Sequence, residues 1–205
     1  MNILVLGATG RTGGEFLDVA LARGHAVSAF VRSPHKITRR DPGLTVLRGD
    51  PQDEEALALA MAGKDAVVTA LGPRGLEAFS TSSVLGASAG PTLRAMGRAR
   101  VRRLLAVSTA FLYPDLGPLA GVLRRVFKGV VVDARAMEAV FTASSLDFTI
   151  ARPGRLVQNR GEIYRARSGD PQGAPRTLSF RAVACFLADA VEQGTYLRKI
   201  VALSR

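Results

Sequence analysis

The chain has 205 residues, of which 47% are hydrophobic, so it is long enough for one well-buried domain and too short for two of typical size. Its net charge is +11, but the basic residues are spread over many segments without zinc-finger, basic-zipper or aromatic-basic RNA motifs, which disfavours nucleic acid as a partner. Because a basic leader and a long apolar span are missing, we expect neither a signal peptide nor a membrane helix, and the single cysteine, Cys185, fits a reducing cytoplasm.

Short β-branched runs alternate with helical patterns along most of the chain. The predicted strands are Asn2–Leu6, Ala26–Val31, Thr45–Leu47, Ala66–Ala70, Arg103–Val107 and Asp147–Ala151. The predicted helices between them are Thr12–Arg23, Asp53–Met61, Ser82–Arg98 and about Val131–Ala143. The early strands are continuous apolar runs, which is typical of a parallel sheet that helices cover on both faces. The alternation therefore predicts an α/β fold, a Rossmann-type doubly wound parallel sheet.

The pattern changes after Pro153. Residues 154–175 are rich in Gly, Pro and Arg and predict an irregular insertion with one short strand around Ile163. A final helix, Phe180–Glu192, and a final strand, Lys199–Ala202, complete the predicted fold. Since no linker or repeat divides the sequence, residues 1–205 are predicted to form a single domain.

The segment GATGRTGG follows the first strand and opens the first helix. Gly7 can turn the chain sharply, Gly10 lets phosphates approach the backbone, and Gly13 allows close helix–strand packing. The helix N-terminus offers unpaired N–H groups and a positive dipole end to those phosphates. Three side chains lie within reach of the same oxygens: Thr9, Arg11 and Thr12. This context, a strand followed by a glycine turn and a helix, is the one that a dinucleotide-binding fingerprint requires.

The end of the second strand predicts which dinucleotide binds. An NAD-binding chain would place Asp or Glu there to bond the ribose 2′-hydroxyl, but this strand ends in Arg32 with no carboxylate close by. Further basic residues follow: His35, Lys36, Arg39 and Arg40. A guanidinium can bind a 2′-phosphate through two parallel hydrogen bonds. We therefore expect NADP(H) rather than NAD(H), with Arg11, Arg32 and Lys36 on the phosphate side.

The GxxGxxG spacing of GATGRTG resembles the extended and atypical branches of the short-chain dehydrogenase/reductase superfamily. VSTAF at Val107–Phe111 is similar to the fifth-strand motif of the biliverdin reductase B (flavin reductase) group, and LDFTIARPG at Leu146–Gly154 is similar to the sixth-strand signature of NmrA-like members. The resemblance covers nearly the whole chain. It implies an NAD(P)-binding Rossmann domain with the 154–175 insertion on the substrate side.

The resemblance also implies cofactor contacts outside the glycine turn. These lie after the fourth and sixth strands, at Ala70, Leu71, Gly72, Arg74 and Pro153. Asp50, after the third strand, looks like the family's adenine-side aspartate. Asp50 also has an alternative role as the N-cap of the next helix, although Asp53 suits that role better because Glu55 and an apolar run follow it directly.

The usual catalytic pair of the superfamily is missing. Its members place a Tyr and, four residues later, a Lys on the helix before the sixth strand, where this chain has Val130 and Ala134. Glu138 on the same helix is expected to be a structural partner. Ser108 and Thr109, at the end of a central strand, remain as the candidate catalytic residues. A hydroxyl there can orient an acceptor or relay a proton from water, and the alternative is that it only bonds the backbone.

These residues favour an NADPH-dependent reductase that transfers hydride to a flavin, a quinone or a tetrapyrrole-like acceptor, with solvent supplying the proton. The alternatives are a non-catalytic NADP(H)-binding redox sensor of the NmrA type and, third, an extended-type sugar-nucleotide epimerase or dehydratase. Arg74, Arg152 and Arg155 either attract an acidic or phosphorylated substrate or are simple surface charge. The expected partner is a small conjugated acceptor, with no nucleic acid, membrane or metal, and the expected state is a cytoplasmic monomer or weak dimer.

Overall fold

The computed structural model describes residues 1–72, 84–113, 125–159, 161–169 and 177–205. Strands β1 to β10 are, in chain order, Asn2–Leu6, Ala26–Val31, Leu44–Arg48, Ala66–Thr69, Arg103–Val107, Asp147–Pro153, Leu156–Val157, Arg165–Ser168, Leu178–Ser179 and Lys199–Ser204. Helices α1 to α5 are Arg11–Ala22, Glu54–Met61, Val84–Ala99, Lys128–Thr142 and Phe180–Glu192. Two short 3₁₀ helices cover Pro34–Lys36 and Ala110–Leu112.

Eight strands form one sheet in the order β3-β2-β1-β4-β5-β6-β10-β8. All neighbours in it are parallel except β8, which runs antiparallel to β10 at the edge, and β7 pairs separately with β9. The strand order reverses between β1 and β4, where Leu6 lies opposite both Phe30 and Thr69. This topology confirms the predicted doubly wound parallel sheet and places its switch point directly after β1.

Each face of the sheet is covered by helices. Alternate residues of β1 divide between the faces: Ile3 and Val5 belong to the core that α1 and α5 cover, and Leu4 and Leu6 to the core that α2, α3 and α4 cover. All four are fully buried. Burial on both faces explains why the early strands are continuous apolar runs instead of alternating ones.

The predicted elements agree with the structure to within a few residues. Strands β1, β2 and β5 and helix α5 have the predicted bounds, whereas β6 and β10 are each two residues longer. The short strand expected around Ile163 is displaced, because Ile163 is exposed and β8 begins at Arg165, where pairing with β10 becomes possible. The first two residues of the helix predicted from Ser82, and residues 160 and 170–175 of the insertion, lie outside the described ranges. Across those ranges, no helix is long and apolar enough to cross a bilayer.

A partly buried arginine ties together the amino ends of the strands. Arg103, the first residue of β5, donates to Thr149 Oγ1 and to the carbonyl oxygens of Asp147, Ala190 and Thr195 at 2.8–3.0 Å. Burial lowers the pKa of Arg103 to about 10, so the guanidinium stays charged at neutral pH. Its charge lies at the C-terminal end of α5, where the helix dipole favours a cation. This one side chain links β5, β6, α5 and the turn before β10.

Candidate functional site

The glycine turn after β1 requires the absence of side chains at two positions. Gly7 has a φ of +84°, and a Cβ there would lie 2.5 Å from the carbonyl oxygen of Ala70, so both the conformation and the space demand glycine. A Cβ at Gly13 would overlap the carbonyl oxygen of Gly7. The turn is closed by the Gly10 N–H, which donates to Gly7 O at 2.9 Å. These contacts bring the start of α1 against the ends of β1 and β4, as the fingerprint predicts.

Helix α1 begins without the capping that other helices of the fold have. Its N-cap is Gly10, and within the described residues no side chain caps it and no acidic residue occupies its first turn. By contrast, Asp53 caps α2, Asp133 of α4 accepts from two N–H groups at the start of α3, and Ser179 caps α5. The N-cap of α4, Phe127, also makes no side-chain cap hydrogen bond, but residues 114–124 shortly before it lie outside the described ranges. The first N–H groups of α1 are therefore available to an anion.

Thr9 and Thr12 flank this N-terminus, and both are half-buried. Arg11 is exposed, and its guanidinium carbon lies 4.5 Å from the centre of the Phe180 ring at the start of α5. Arg11 therefore contacts the start of α5, which packs beside β5 and β6. Its place with Arg32 and Lys36 on the phosphate side stays a prediction.

Arg32 directly follows β2, and Lys36 ends the 3₁₀ helix in the next loop. Both are exposed, and across the described ranges neither pairs with a carboxylate. Arg39, three residues further on, differs because its Nε and Nη2 both donate to the carboxylate of Asp18 on α1. Arg32 and Lys36 therefore lie beyond the end of β2 without a described partner, next to the strand that carries the glycine turn.

Asp50 and Asp53 have separate roles in the segment after β3. Asp53 is the N-cap of α2 and accepts from the N–H groups of Glu55 and Ala56 at 3.1 Å, which confirms the preferred assignment of the cap. Asp50 is exposed and accepts from the N–H of Gln52 at 2.9 Å in a local turn. That bond leaves further acceptor capacity on the Asp50 carboxylate, so its adenine-side role stays a prediction.

The remaining predicted cofactor contacts follow β4 and β6. The Ala70 N–H donates to Leu6 O at 2.9 Å, which keeps the end of β4 beside the glycine turn, and Leu71 and Gly72 continue outward with increasing exposure. Pro153 is buried as the last residue of β6, opposite Leu203 of β10. Arg74 lies outside the described residues.

The two candidate catalytic hydroxyls differ in their surroundings. Thr109 caps the 3₁₀ helix after β5, since its Oγ1 accepts from the N–H of Phe111 at 3.3 Å. The Oγ of Ser108 is fully buried and has no hydrogen-bond partner among the described residues. The Ser108 backbone N–H donates to Ala151 O at 2.8 Å, so the residue is fixed at the junction of β5 and β6. An unsatisfied buried hydroxyl at the carboxyl end of a parallel sheet is a feature that a ligand can satisfy.

Helix α4 carries structural carboxylates but no catalytic group at the two positions where the superfamily has them. Those positions hold Val130, which is half-buried, and Ala134, which is buried, and neither hydrocarbon side chain has a proton to transfer. Glu138, 5% exposed, forms a two-point ion pair with Arg152, whose guanidinium carbon also lies 4.7 Å from the centre of the Tyr113 ring. The pair supports the structural role expected for Glu138. It also engages Arg152, whereas Arg155 stays exposed.

Sequence reasoning missed Asp133. This residue is 4% exposed and accepts from the N–H groups of Leu85 and Gly86 at 2.9 and 2.7 Å, so it caps α3 from a different helix. The available signal was an acidic residue within the apolar stretch GVVVDARAM, but its partners lie 48 and 47 residues away in the chain. Through Asp133, α4 holds the start of α3, and through Glu138 it holds Arg152 near the carboxyl end of β6.

Comparison with known proteins agrees with this geometry. The chain is 25% identical to the photosystem II assembly factor Ycf39 of Synechocystis over 97% of this chain and 61% of that protein, so it spans about three fifths of that relative's length. The likeness to the next two solved structures, each at 20% identity, concerns the fold alone. A short-chain dehydrogenase/reductase from Veillonella parvula in complex with NADP has a TM-score of 0.79 at 20% identity, covering 100% of this chain and 94% of that one. The anaerobilin reductase ChuY from Escherichia coli O157:H7 has a TM-score of 0.77 at 20% identity, covering 100% and 97%.

The sequence pattern of one protein family matches residues 7–194, from the first glycine of the turn to the end of α5. The match includes the uncapped helix, the ends of β4, β5 and β6 and the loop that carries Arg32. The resemblance to the atypical short-chain dehydrogenase/reductases is thereby confirmed at the level of fold and dinucleotide binding. This chain belongs to the NAD(P)H-binding family.

Proposed function

We propose that this protein is an NADPH-dependent reductase that passes hydride to a conjugated acceptor of the flavin, quinone or tetrapyrrole type. The observation that carries the proposal is the buried hydroxyl of Ser108 at the carboxyl end of β5, which has no partner in the part of the chain that the structure describes. It lies on the sheet edge that also carries the glycine turn, and the described α4 lacks the Tyr–Lys pair that alcohol–ketone chemistry in this superfamily requires.

The preference for NADPH is supported by the loop after β2. A 2′-phosphate requires cations that no carboxylate occupies, and Arg32 and Lys36 meet that condition among the described residues. An NAD-binding site would instead need an acidic side chain at the end of β2 to accept from the ribose hydroxyl. The uncapped start of α1 fits the pyrophosphate.

The proposed reaction demands positioning more than acid catalysis. When bound, the reduced nicotinamide supplies a hydride, which carries two electrons and one proton. The reduced acceptor takes a second proton from water. The Ser108 hydroxyl donates a hydrogen bond to the acceptor or to the cofactor's amide and so orients one against the other. Thr109 keeps the segment after β5 in place through its bond to Phe111. Orientation of this kind is an established source of rate acceleration.

The test is an assay of purified protein with NADPH or NADH and a panel of FMN, riboflavin, quinones and biliverdin, followed by the loss of reduced-nicotinamide absorbance. We expect NADPH-selective turnover of at least one acceptor. Ser108→Ala should lower kcat at least about tenfold, while Thr109→Val, which removes a cap, should mainly lower stability. Turnover that is unaffected by Ser108→Ala would contradict the role of that hydroxyl.

A second candidate function is a redox sensor that binds NADP(H) without turnover. It is favoured by the missing Tyr–Lys pair and by a relative, Ycf39, that is named as an assembly factor and not as an enzyme. Saturable NADPH binding without turnover of any acceptor would support this second function. An epimerase or dehydratase ranks third because Val130 and Ala134 supply no acid or base.

A further inference from the structure

Arg39 is the one arginine of the loop after β2 that the described structure ties to α1. Its guanidinium faces the Asp18 carboxylate with both Nε and Nη2, and the Nη2–Oδ2 distance is 2.5 Å. The same guanidinium lies against Gly14, where an added Cβ would meet its two terminal nitrogens at 3.7 and 3.8 Å. The Arg39 and Asp18 side chains are 35% and 40% exposed, so this two-point pair lies on the surface beside the first turns of α1.

The loop between Ser33 and Gly43 has a second anchor close to the first. Ile37 is half-buried and packs on the core beneath α1. Lys36 and Arg40, on either side of the two anchored residues, are exposed and unpaired within the described ranges. The alternation of free and anchored residues means that the position of the free cations depends on how the loop is held.

We propose that Asp18 and Arg39 form a strut that positions the loop for recognition of the cofactor's 2′-phosphate, so that Arg39 acts through Lys36 and Arg32 and does not itself contact the phosphate. The inference rests on the proposed preference for NADPH. A two-point Arg–carboxylate pair is the kind of surface ion pair that has enough geometric definition to hold a loop.

For Asp18→Asn, the strut and simple electrostatics predict opposite changes in NADPH affinity. Asp18→Asn removes a negative charge near the phosphate site, which by charge alone would tighten NADPH binding. Because the strut is lost, we expect NADPH affinity to fall about three- to tenfold, with NADH affinity changed less than about twofold. Arg39→Gln should have a similar effect, and the double variant should be no worse than either single one because both remove the same strut.

Two matched controls separate the strut from general charge effects. Glu15→Gln removes a negative charge on the same face of α1, where Glu15 lies 3.6 Å from Arg181 of α5 and acts on Arg39 through space without the two hydrogen bonds that Asp18 makes. Arg40→Gln removes a positive charge from the loop without removing a described partner, so a loss of NADPH affinity in this variant comes from charge alone. We expect Glu15→Gln to keep NADPH affinity, and neither control to speed hydrogen exchange in the loop.

The experiment measures dissociation constants for NADPH and NADH and, without cofactor, hydrogen exchange of the amides of residues 33–43. Faster exchange in Asp18→Asn and Arg39→Gln, but not in Glu15→Gln, together with weaker NADPH binding, supports the strut. Tighter or unchanged NADPH binding in Asp18→Asn with weaker binding in Arg39→Gln would overturn it, because Arg39 would then contact the phosphate directly. Unchanged exchange in Asp18→Asn would also overturn it. Equal affinity of the wild-type protein for the two cofactors would instead contradict the proposed function, while the exchange data would still decide the strut.

Discussion

Polar groups at the two ends of the parallel sheet differ in how far they are hydrogen-bonded within the described chain. At the amino end, Nη1 and Nη2 of Arg103 make four hydrogen bonds, although its buried Nε has no partner among the described residues, and Arg23 and His25 share the carboxylate of Glu192 at 2.9 and 2.6 Å. At the carboxyl end, within the described ranges, α1 begins without a side-chain cap and the buried hydroxyl of Ser108 has no partner. Buried polar groups in native proteins are normally paired. The Ser108 hydroxyl lies at the same end of the sheet as the uncapped start of α1, so a ligand bound there can complete both, whereas Arg103 Nε belongs to a guanidinium that already makes four bonds within the chain.

We infer from this difference that the amino end of the sheet mainly stabilises the fold and the carboxyl end mainly binds the ligand. Bonds at the amino end close within the chain, so their loss should change the free energy of unfolding without changing ligand affinity. Groups at the carboxyl end are incomplete without a ligand, so their loss should change affinity with little effect on folding. Variants at each end can break this comparison or sharpen it.

The largest effect is expected at the amino end, for Arg103→Met. The substitution leaves three carbonyl oxygens and the Thr149 hydroxyl without their shared donor, which should lower the free energy of unfolding by about 3 kcal/mol. Urea denaturation measures the loss, and NADPH affinity at a temperature where the variant is folded should match that of the wild-type protein. A loss below about 1 kcal/mol would show that Arg103 is not the link between these elements.

Adjacent glycines provide a matched pair at the carboxyl end. Gly13→Ala would place a Cβ into the carbonyl oxygen of Gly7, so the turn must shift, and NADPH affinity should fall at least about tenfold with a stability loss of about 1–3 kcal/mol. Gly14→Ala meets only ordinary contacts at 3.7 Å or more. It should keep NADPH affinity and add up to about 1 kcal/mol of stability, because alanine favours a helix over glycine. Equal behaviour of the two variants in binding titrations and urea unfolding would contradict this account of the turn.

Arg32→Ala tests the free cation after β2. Loss of a charge-assisted bond to a 2′-phosphate should weaken NADPH binding about tenfold and NADH binding much less, with unfolding unchanged. Lys199→Ala, at the amino end of β10, removes the same charge from an exposed position and should leave both affinities unchanged. Titration of both variants with both cofactors measures the difference. Equal losses for NADPH and NADH in Arg32→Ala would contradict the assignment of the phosphate side.

The smallest effect is a pH dependence near the amino end. Burial and a hydrogen bond to Asp189 raise the pKa of Tyr164 above its ordinary value of about 10. Because the unfolded chain loses this proton at a lower pH than the folded protein, the stabilisation is present below about pH 10 and is lost as the pH rises further. Tyr164→Phe should therefore show a smaller fall in the free energy of unfolding between about pH 8 and about pH 11. An identical fall in variant and wild-type protein would contradict the role of Tyr164.

Much of the fold could be predicted because local patterns specify it. Helix and strand periods gave the bounds of β1, β2, β5 and α5, and the spacing of Asp53 before Glu55 gave the cap of α2. Side-chain contacts between distant segments could not be predicted in the same way. The contact between Asp133 and the start of α3 is an example, because it forms only when two helices pack and no local sequence signal predicts it.

By itself, the sequence determined the parallel sheet, the glycine turn at its switch point and the absence of the Tyr–Lys pair, because residue type and spacing along the chain decide these features. Only the tertiary structure decided which polar groups are left over. It assigned Thr109 to a cap and left the Ser108 hydroxyl unpaired, and it paired Arg39 with Asp18 while Arg32 stayed free of described partners. The physical reason is that a hydrogen bond depends on distance in space, which packing sets and chain order does not.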